Sequence, residues 1–274
     1  MAKTLNALAL AAMFGVMALS FAHAPSAHAQ GVPVEITADN GLEWSRDAKS
    51  VTASGNAIAR RGDVTVRANK LVARYGEDAR GKTQITRISA EGGVRIAAPG
   101  HKAQGGLLTY SPLSKLARLS GKGLQLTTRD TVITATEALE YDQIRRLAVA
   151  RGRANVARDG NELSADSLKA QFKAGSGGGS ALALDEVTAD GSVTITTSRG
   201  ETARGDTAKY NADTQTATLT GNVVIERQGN RLAGQTATVN MATGVSRLTG
   251  GAGGSGRVRG VFLPGGDNEL EIGR

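Results

Sequence analysis

The chain has 274 residues, no cysteine and a formal net charge of +8, which excludes disulfides, thiolate metal centres and cysteine nucleophiles. Aromatic residues make up only 3%, too few for stacked-base recognition or for the aromatic girdles of a membrane barrel. Glycine is abundant at 36 residues and proline scarce at 5, and with alanine, threonine and valine filling most of the rest, this composition suits short strands and tight turns.

Residues 1–29 read as a secretory signal peptide: a short basic start through Lys3, an apolar run from Leu5 to Ala22, and Ala27-His28-Ala29 as the small-x-small cleavage site. An uncleaved anchor is the alternative, because about 18 apolar residues can just span a bilayer. Cleavage after Ala29 gives an exported, extracytoplasmic chain. It removes only Lys3 among the charges and leaves +7. A basic exported protein either meets anionic lipids and phosphorylated glycolipids, rather than nucleic acid, or simply carries a soluble charged surface, and charge alone does not separate the two. Two of the three histidines, His23 and His28, leave with the leader, so no multi-histidine metal site remains and none is predicted.

From Val34 onward the chain repeats one unit. A small-residue strand with a central glycine recurs at Gly55, Gly92, Gly121, Gly152, Gly191, Gly221 and Gly250. A turn follows at Gly62, Gly100, Asp130, Gly160, Gly200 and Gly229. A second strand then runs from a small residue to an aromatic one, as from Ala68 to Tyr75, Ala103 to Tyr110, Ala165 to Phe172 and Ala203 to Tyr210. Longer steps at 76–91 and 173–190 mark a larger duplication, about 33–150 and 151–262, with 263–274 as a flexible tail.

The first strands alternate with period two. Ile88, Ala90, Val94 and Ile96 share one face, Val187, Ala189, Val193 and Ile195 another, and Ala217, Leu219, Val223 and Ile225 a third. The third unit is out of phase at Leu124 and Leu126, which suggests a bulge or twist. Strands with one wet and one dry face predict an all-β fold of two facing antiparallel sheets built from strand-turn-strand units. The dry face is mostly small, so either the sheets sit close in a thin core or they leave a groove that something else fills.

No catalytic site survives scrutiny, and no enzyme is predicted. Residues 76–83 match the phosphate-loop pattern, but an alternating strand and not a helix follows, and Glu77 and Asp78 would oppose the phosphates. Residues 181–186 resemble the strand that holds magnesium in such enzymes, but they lie in the duplicate of the same connection. Gly251-x-Gly253-x-x-Gly256 has no helix after it and reads as a loop, as does 175–179. His101 beside Pro99-Gly100 is read as a solvated turn residue, and Trp44 as a packing residue.

Val34-Glu35-Ile36-Thr37-Ala38-Asp39, Leu219-Thr220-Gly221-Asn222-Val223, its weaker echo Ser54-Gly55-Asn56-Ala57 and the small-to-aromatic second strands resemble the OstA-like (LptA-type) family of lipopolysaccharide-transport proteins, over about residues 33 to 262. The resemblance implies an elongated open β-jelly roll whose apolar groove shields the acyl chains of lipid A between inner and outer membranes. It implies no cofactor. Implied partners are lipopolysaccharide, further copies end to end, and LptC-like inner-membrane and OstA/LptD-like outer-membrane proteins at the edge strands. Val34, Ile36, Tyr75 and Tyr110 match lining positions of the family. Repeat equivalence extends the lipid-binding set to Val94, Ile96, Val193, Ile195, Tyr210, Val223 and Ile225. Arg60, Arg61, Arg145 and Arg146 either meet lipid phosphates or are ordinary surface charge. The competing function is an exported structural or adhesive β-repeat protein that binds no lipid.

Overall fold

A computed structural model describes residues 34–175, 182–250 and 256–262. The described residues form an all-β jelly roll of eighteen strands, with antiparallel pairing in every register given below and no helix. The signal peptide, the loops at 176–179 and 251–255 and the tail lie outside the described residues. The strands are β1 (Glu35–Thr37), β2 (Leu42–Ser45), β3 (Ser50–Arg61), β4 (Val64–Glu77), β5 (Thr83–Ala98), β6 (His101–Ser111), β7 (Leu116–Ser120), β8 (Gln125–Thr127) and β9 (Thr131–Thr134). They continue as β10 (Ala138–Asp142), β11 (Leu147–Arg158), β12 (Asn161–Ala174), β13 (Leu182–Thr196), β14 (Thr202–Asn211), β15 (Thr216–Arg227), β16 (Asn230–Asn240), β17 (Ser246–Thr249) and β18 (Arg259–Val261). The chain divides into two compact units. The first holds the described residues up to Gly152 and those of Lys173–Ala183; the second holds Arg153–Phe172 and the described residues from Leu184.

The central glycines do not sit in straight strands. At Gly55, Gly92, Gly191 and Gly221 the strand bends, and the register with the neighbour skips. β3 pairs with β4 through Ser54↔Lys70 before the skip and Ala57↔Ala68 after it. β5 pairs with β6 through Glu91↔Leu107 and then Val94↔Gly105. The two facing layers are therefore two halves of the same long strands. At the chain's start the halves are separate strands, β1 against Ile58–Arg60 and β2 against Ser50–Ala53. β7 and β8 likewise pair with the two halves of β6.

The bend needs backbone that L side chains rarely adopt. Gly221 (φ 82°) is followed by Asn222 (φ 48°), and Gly55 (φ 79°) by Asn56 (φ 42°). Asn tolerates this region because its short polar side chain bonds locally. Asn56 Nδ2 donates to Asp39 Oδ2 at 2.7 Å, and Asn222 Nδ2 to Asp206 Oδ2 at 2.9 Å. The neighbouring strand lays a polar side chain over the glycine: a Cβ on Gly55 would lie 2.7 Å from Asn40 Cγ, and one on Gly221 2.6 Å from Asp206 Cγ. In the third unit the bend is one residue longer, with positive φ at Gly121 and Gly123. That extra residue causes the phase shift, and Leu119, Leu124 and Leu126 are all buried despite it.

Candidate functional site

Cross-strand registers turn the alternating faces into continuous apolar rows. In the first unit one row next to the bend runs Ala53, Leu71, Ala90, Leu108, Leu119, Leu139, Ala150. All seven are buried. One step further from the bend lies Val51, Ala73, Ile88, Tyr110, Ala117, Tyr141, Ala148. The first five of these are only half-buried, and Tyr141 and Ala148 close the row. The other half of the strands carries Ile36, Ala59, Val66, Ile96, Ala103, Leu126, Ile133. Apart from buried Leu126 these are half-buried.

The two halves converge at the bend and part away from it. Ala57 and Ala90 are 0% exposed, which a single sheet layer cannot achieve, so each half covers the other there. A Cβ on Gly105 would come within 2.9 Å of both Leu119 and Leu124, which lie on opposite sides of the bend. Within this unit the apolar faces form a wedge with a dry apex and a wetter mouth. The second unit repeats the rows as Ala189, Ala208, Leu219, Ala237, Leu248 and as Val187, Tyr210, Ala217, Val239. Its other half carries Ile195, Ala203, Ile225, Leu232. Here Val187, Tyr210 and Ala217 pack against Ala170, Leu184, Ala212 and Met241.

The residues singled out from sequence fall into three environments. Val94, Val193 and Val223, each 1% exposed, sit at the apex, and Ile195 and Tyr210 are buried beside it. Ile36, Ile96, Tyr110 and Ile225 are half-buried on the rows, and Tyr75 is half-buried on β4 opposite Ile85, beyond them. Val34 precedes β1 and is 50% exposed. Burial pushes the Tyr210 phenol up from its ordinary value. Tyr141 is raised for the same reason, with Arg146 opposing and Asp142 adding to the effect.

Two sequence readings change. Trp44 is not a packed residue: its ring is on β2, opposite Val51 in the outer apolar row, and is 73% exposed. It is nonetheless fixed, because the indole N–H donates to the Tyr75 hydroxyl at 2.7 Å and the rings meet edge to face at 6.3 Å. Exposure here follows from strand order, since among the described residues the register of β2 is with β3. His101 is half-buried at the start of β6 rather than freely solvated; Nδ1 bonds the Pro99 carbonyl oxygen at 2.8 Å and Nε2 is shielded without a partner. Arg60 pairs with Glu35 at 3.9 Å and Arg145 with Asp142 at 3.6 Å, while Arg61 and Arg146 are exposed at strand ends. The phosphate-loop lookalike is the β4–β5 turn, where Asp78 accepts from the Arg80 and Lys82 amides and a strand follows. Among the described residues no cluster of acids and histidines could hold a metal, and no helix is long and apolar enough to cross a membrane.

The model of the LptA/(LptD N-terminal domain) lipopolysaccharide-transport family matches twice, at residues 35–139 and 132–245. The chain belongs to this family. The two matches together take in strands β1 to β16 and the rows above apart from Leu248 on β17. Among solved structures, LptH, the LptA-homologous periplasmic component of the lipopolysaccharide transport device of Pseudomonas aeruginosa, aligns over 85% of this chain and 96% of its own, at 12% identity and a TM-score of 0.21. No curated protein matches.

Proposed function

We propose that the protein is a non-enzymatic periplasmic carrier that holds the acyl chains of lipopolysaccharide in the wedge between the two strand halves during passage from inner to outer membrane. The burial gradient carries this reading. Apolar rows continue from strand to strand, packed at the apex and half-exposed at the mouth. An adhesive repeat protein has no use for a half-exposed apolar wall, whereas an acyl chain completes it. Ile36, Tyr75, Ile96, Tyr110 and Ile225 supply contact surface at the mouth, with Val34 at its entrance. Val94, Val193, Val223, Ile195 and Tyr210 back the wall. Covering a methylene contributes about 0.8 kcal/mol, so a fully buried chain of a dozen carbons would be held by roughly 10 kcal/mol, too tightly to hand on. A wall of small side chains that covers the lipid in part permits transfer.

The outer strands at both ends, β1 and β2 paired with β3, and β17 and β18 paired with β16, are edges open to strand addition. End-to-end copies, or LptC-like and LptD-like neighbours, extend the wall in this reading. Its test is detergent-free purification followed by mass spectrometry for lipopolysaccharide, combined with photo-crosslinkers at Ile36, Tyr110 and, as outward-facing control, Thr109. Lipid crosslinks at the first two positions are expected. Their absence, with no co-purifying lipid, favours the adhesive protein.

A further inference from the structure

We propose a second binding site, on the outward face of the first unit, for a phosphate-bearing anion. A cavity of about 350 Å³ lies over β4, β5, β6 and β8. Two outward-facing cross-strand rows build it. One runs Arg67, Arg95, Gln104, Gln125; the other runs Thr65, Ala97, Lys102, Thr127. Ala97 and, from the intervening row, Ile96 and Ala103 complete the lining.

Its charge is unbalanced in a way that strand pairing does not require. Arg67 and Arg95 stand directly opposite each other, an arrangement that destabilises a sheet unless something lies between the charges. Lys102 adds a third cation, no carboxylate lines the cavity, and none of the three has an ion-pair partner among the described residues. Gln104 donates to Gln125 at 3.3 Å and Gln125 to the Thr127 hydroxyl at 3.1 Å. That chain leaves the Thr127 proton to point at a guest.

The duplicated block supplies an internal control. Ala203↔Ile225 repeats Ala103↔Leu126, which places Glu226 where the first block has Thr127. Glu226 accepts from Arg204 at 3.0 Å and pairs with Arg231 at 3.7 Å. The second block has Thr194 and Thr202 where the first has Arg95 and Lys102. The cation cluster is thus particular to the first block, which also lacks the carboxylate, so an external anion takes that place. Two planar guanidinium forks, an ammonium and a hydroxyl donor fit the several oxygens of a phosphomonoester. That chemistry occurs both in free phosphates and in phosphorylated saccharide headgroups. The probes that test it carry no acyl chain, so the site stands or falls apart from the acyl-binding reading.

Calorimetric titration of the mature chain at low ionic strength tests the site with two probes lacking acyl chains: inorganic pyrophosphate and a bisphosphorylated glucosamine disaccharide. Both are expected to bind, less well as salt rises. R67Q and R95Q each weaken binding about tenfold, the effect of removing one charge-assisted hydrogen bond. T127E, which plants the second block's carboxylate, abolishes binding without lowering the melting temperature, and R204Q leaves binding unchanged. A clear preference for the disaccharide assigns the headgroup, and equal affinity assigns the phosphate alone; either upholds the site. No heat from either probe, or unaltered binding by the R67Q/R95Q double variant, overturns it whatever becomes of acyl binding.

Discussion

Val94, Val193 and Val223 are the largest side chains sealed at the apex, each immediately beyond a bend. Their β-branched stems suit a strand, and their modest size lets the two halves approach. Truncating Val223 to alanine removes two buried methyl groups and leaves a cavity, so chemical denaturation is expected to show a loss of about 2 kcal/mol. Truncating half-exposed Ile96 should cost less and act instead on lipid retention. Tyr141 offers a pH signature. Its phenol titrates above its ordinary value of 10.0 because burial disfavours the phenolate. A raised acid pKa means the stabilisation is complete below pH 10.0 and is lost as pH climbs through the folded-state value. Y141F removes that contribution, so its alkaline unfolding curve is expected to fall less steeply than wild type, with no such divergence near neutrality.

The bent strand is the unit of construction, and its corner is cooperative between two strands. Gly221 holds a left-handed backbone while Asp206 lies across it and binds Asn222. G221A introduces a Cβ into Asp206 and strains the backbone, a cost of roughly 2 kcal/mol or more. D206A clears the space but forfeits the hydrogen bond to Asn222. The double variant is therefore expected to lose less than the two single losses together, a coupling of about 1 kcal/mol measurable by denaturant titration. Much of this element was legible in sequence: the alternation named the faces, and the recurrent glycines located every bend. What they did not disclose is that the strand turns there. A straight strand and a bent one share the same period of two, and the decisive contact comes from the neighbouring strand. Asn40, Asn69, Asp166 and Asp206 each crowd one of these glycines, and the small-then-polar pairs Ala68-Asn69, Ala165-Asp166 and Gly205-Asp206 were the signal that could have revealed it. The opposition of Arg67 to Arg95 and the exposure of Trp44 depend on register and strand order, which local pattern cannot supply.

Among the described residues the first and the last strands carry opposite charges and exposed apolar side chains. β1 and β2 present Glu35 and Glu43 beside Leu42 and Trp44; β17 and β18 present Arg247 and Arg259 beside Val261 and Phe262. An unpaired strand edge invites pairing with another chain unless it is blunted. Here the two edges are complementary, which favours a heterologous contact that does not close on itself. Like edges repel, so the same charges disfavour a symmetric dimer. Association is expected to grow with concentration in sedimentation experiments and to fall as salt screens the edges. E43K should weaken it by about 1 kcal/mol per contact, roughly fivefold, and pairing E43K with R247E in one chain should restore part of the loss. Trp44, the only tryptophan, reports the same event independently: strand addition beside β2 removes its ring from water and shifts its fluorescence to the blue. A mature chain that stays monomeric at high concentration and low salt, with unshifted Trp44 emission, refutes edge-to-edge assembly and leaves any bridge between membranes to partner proteins.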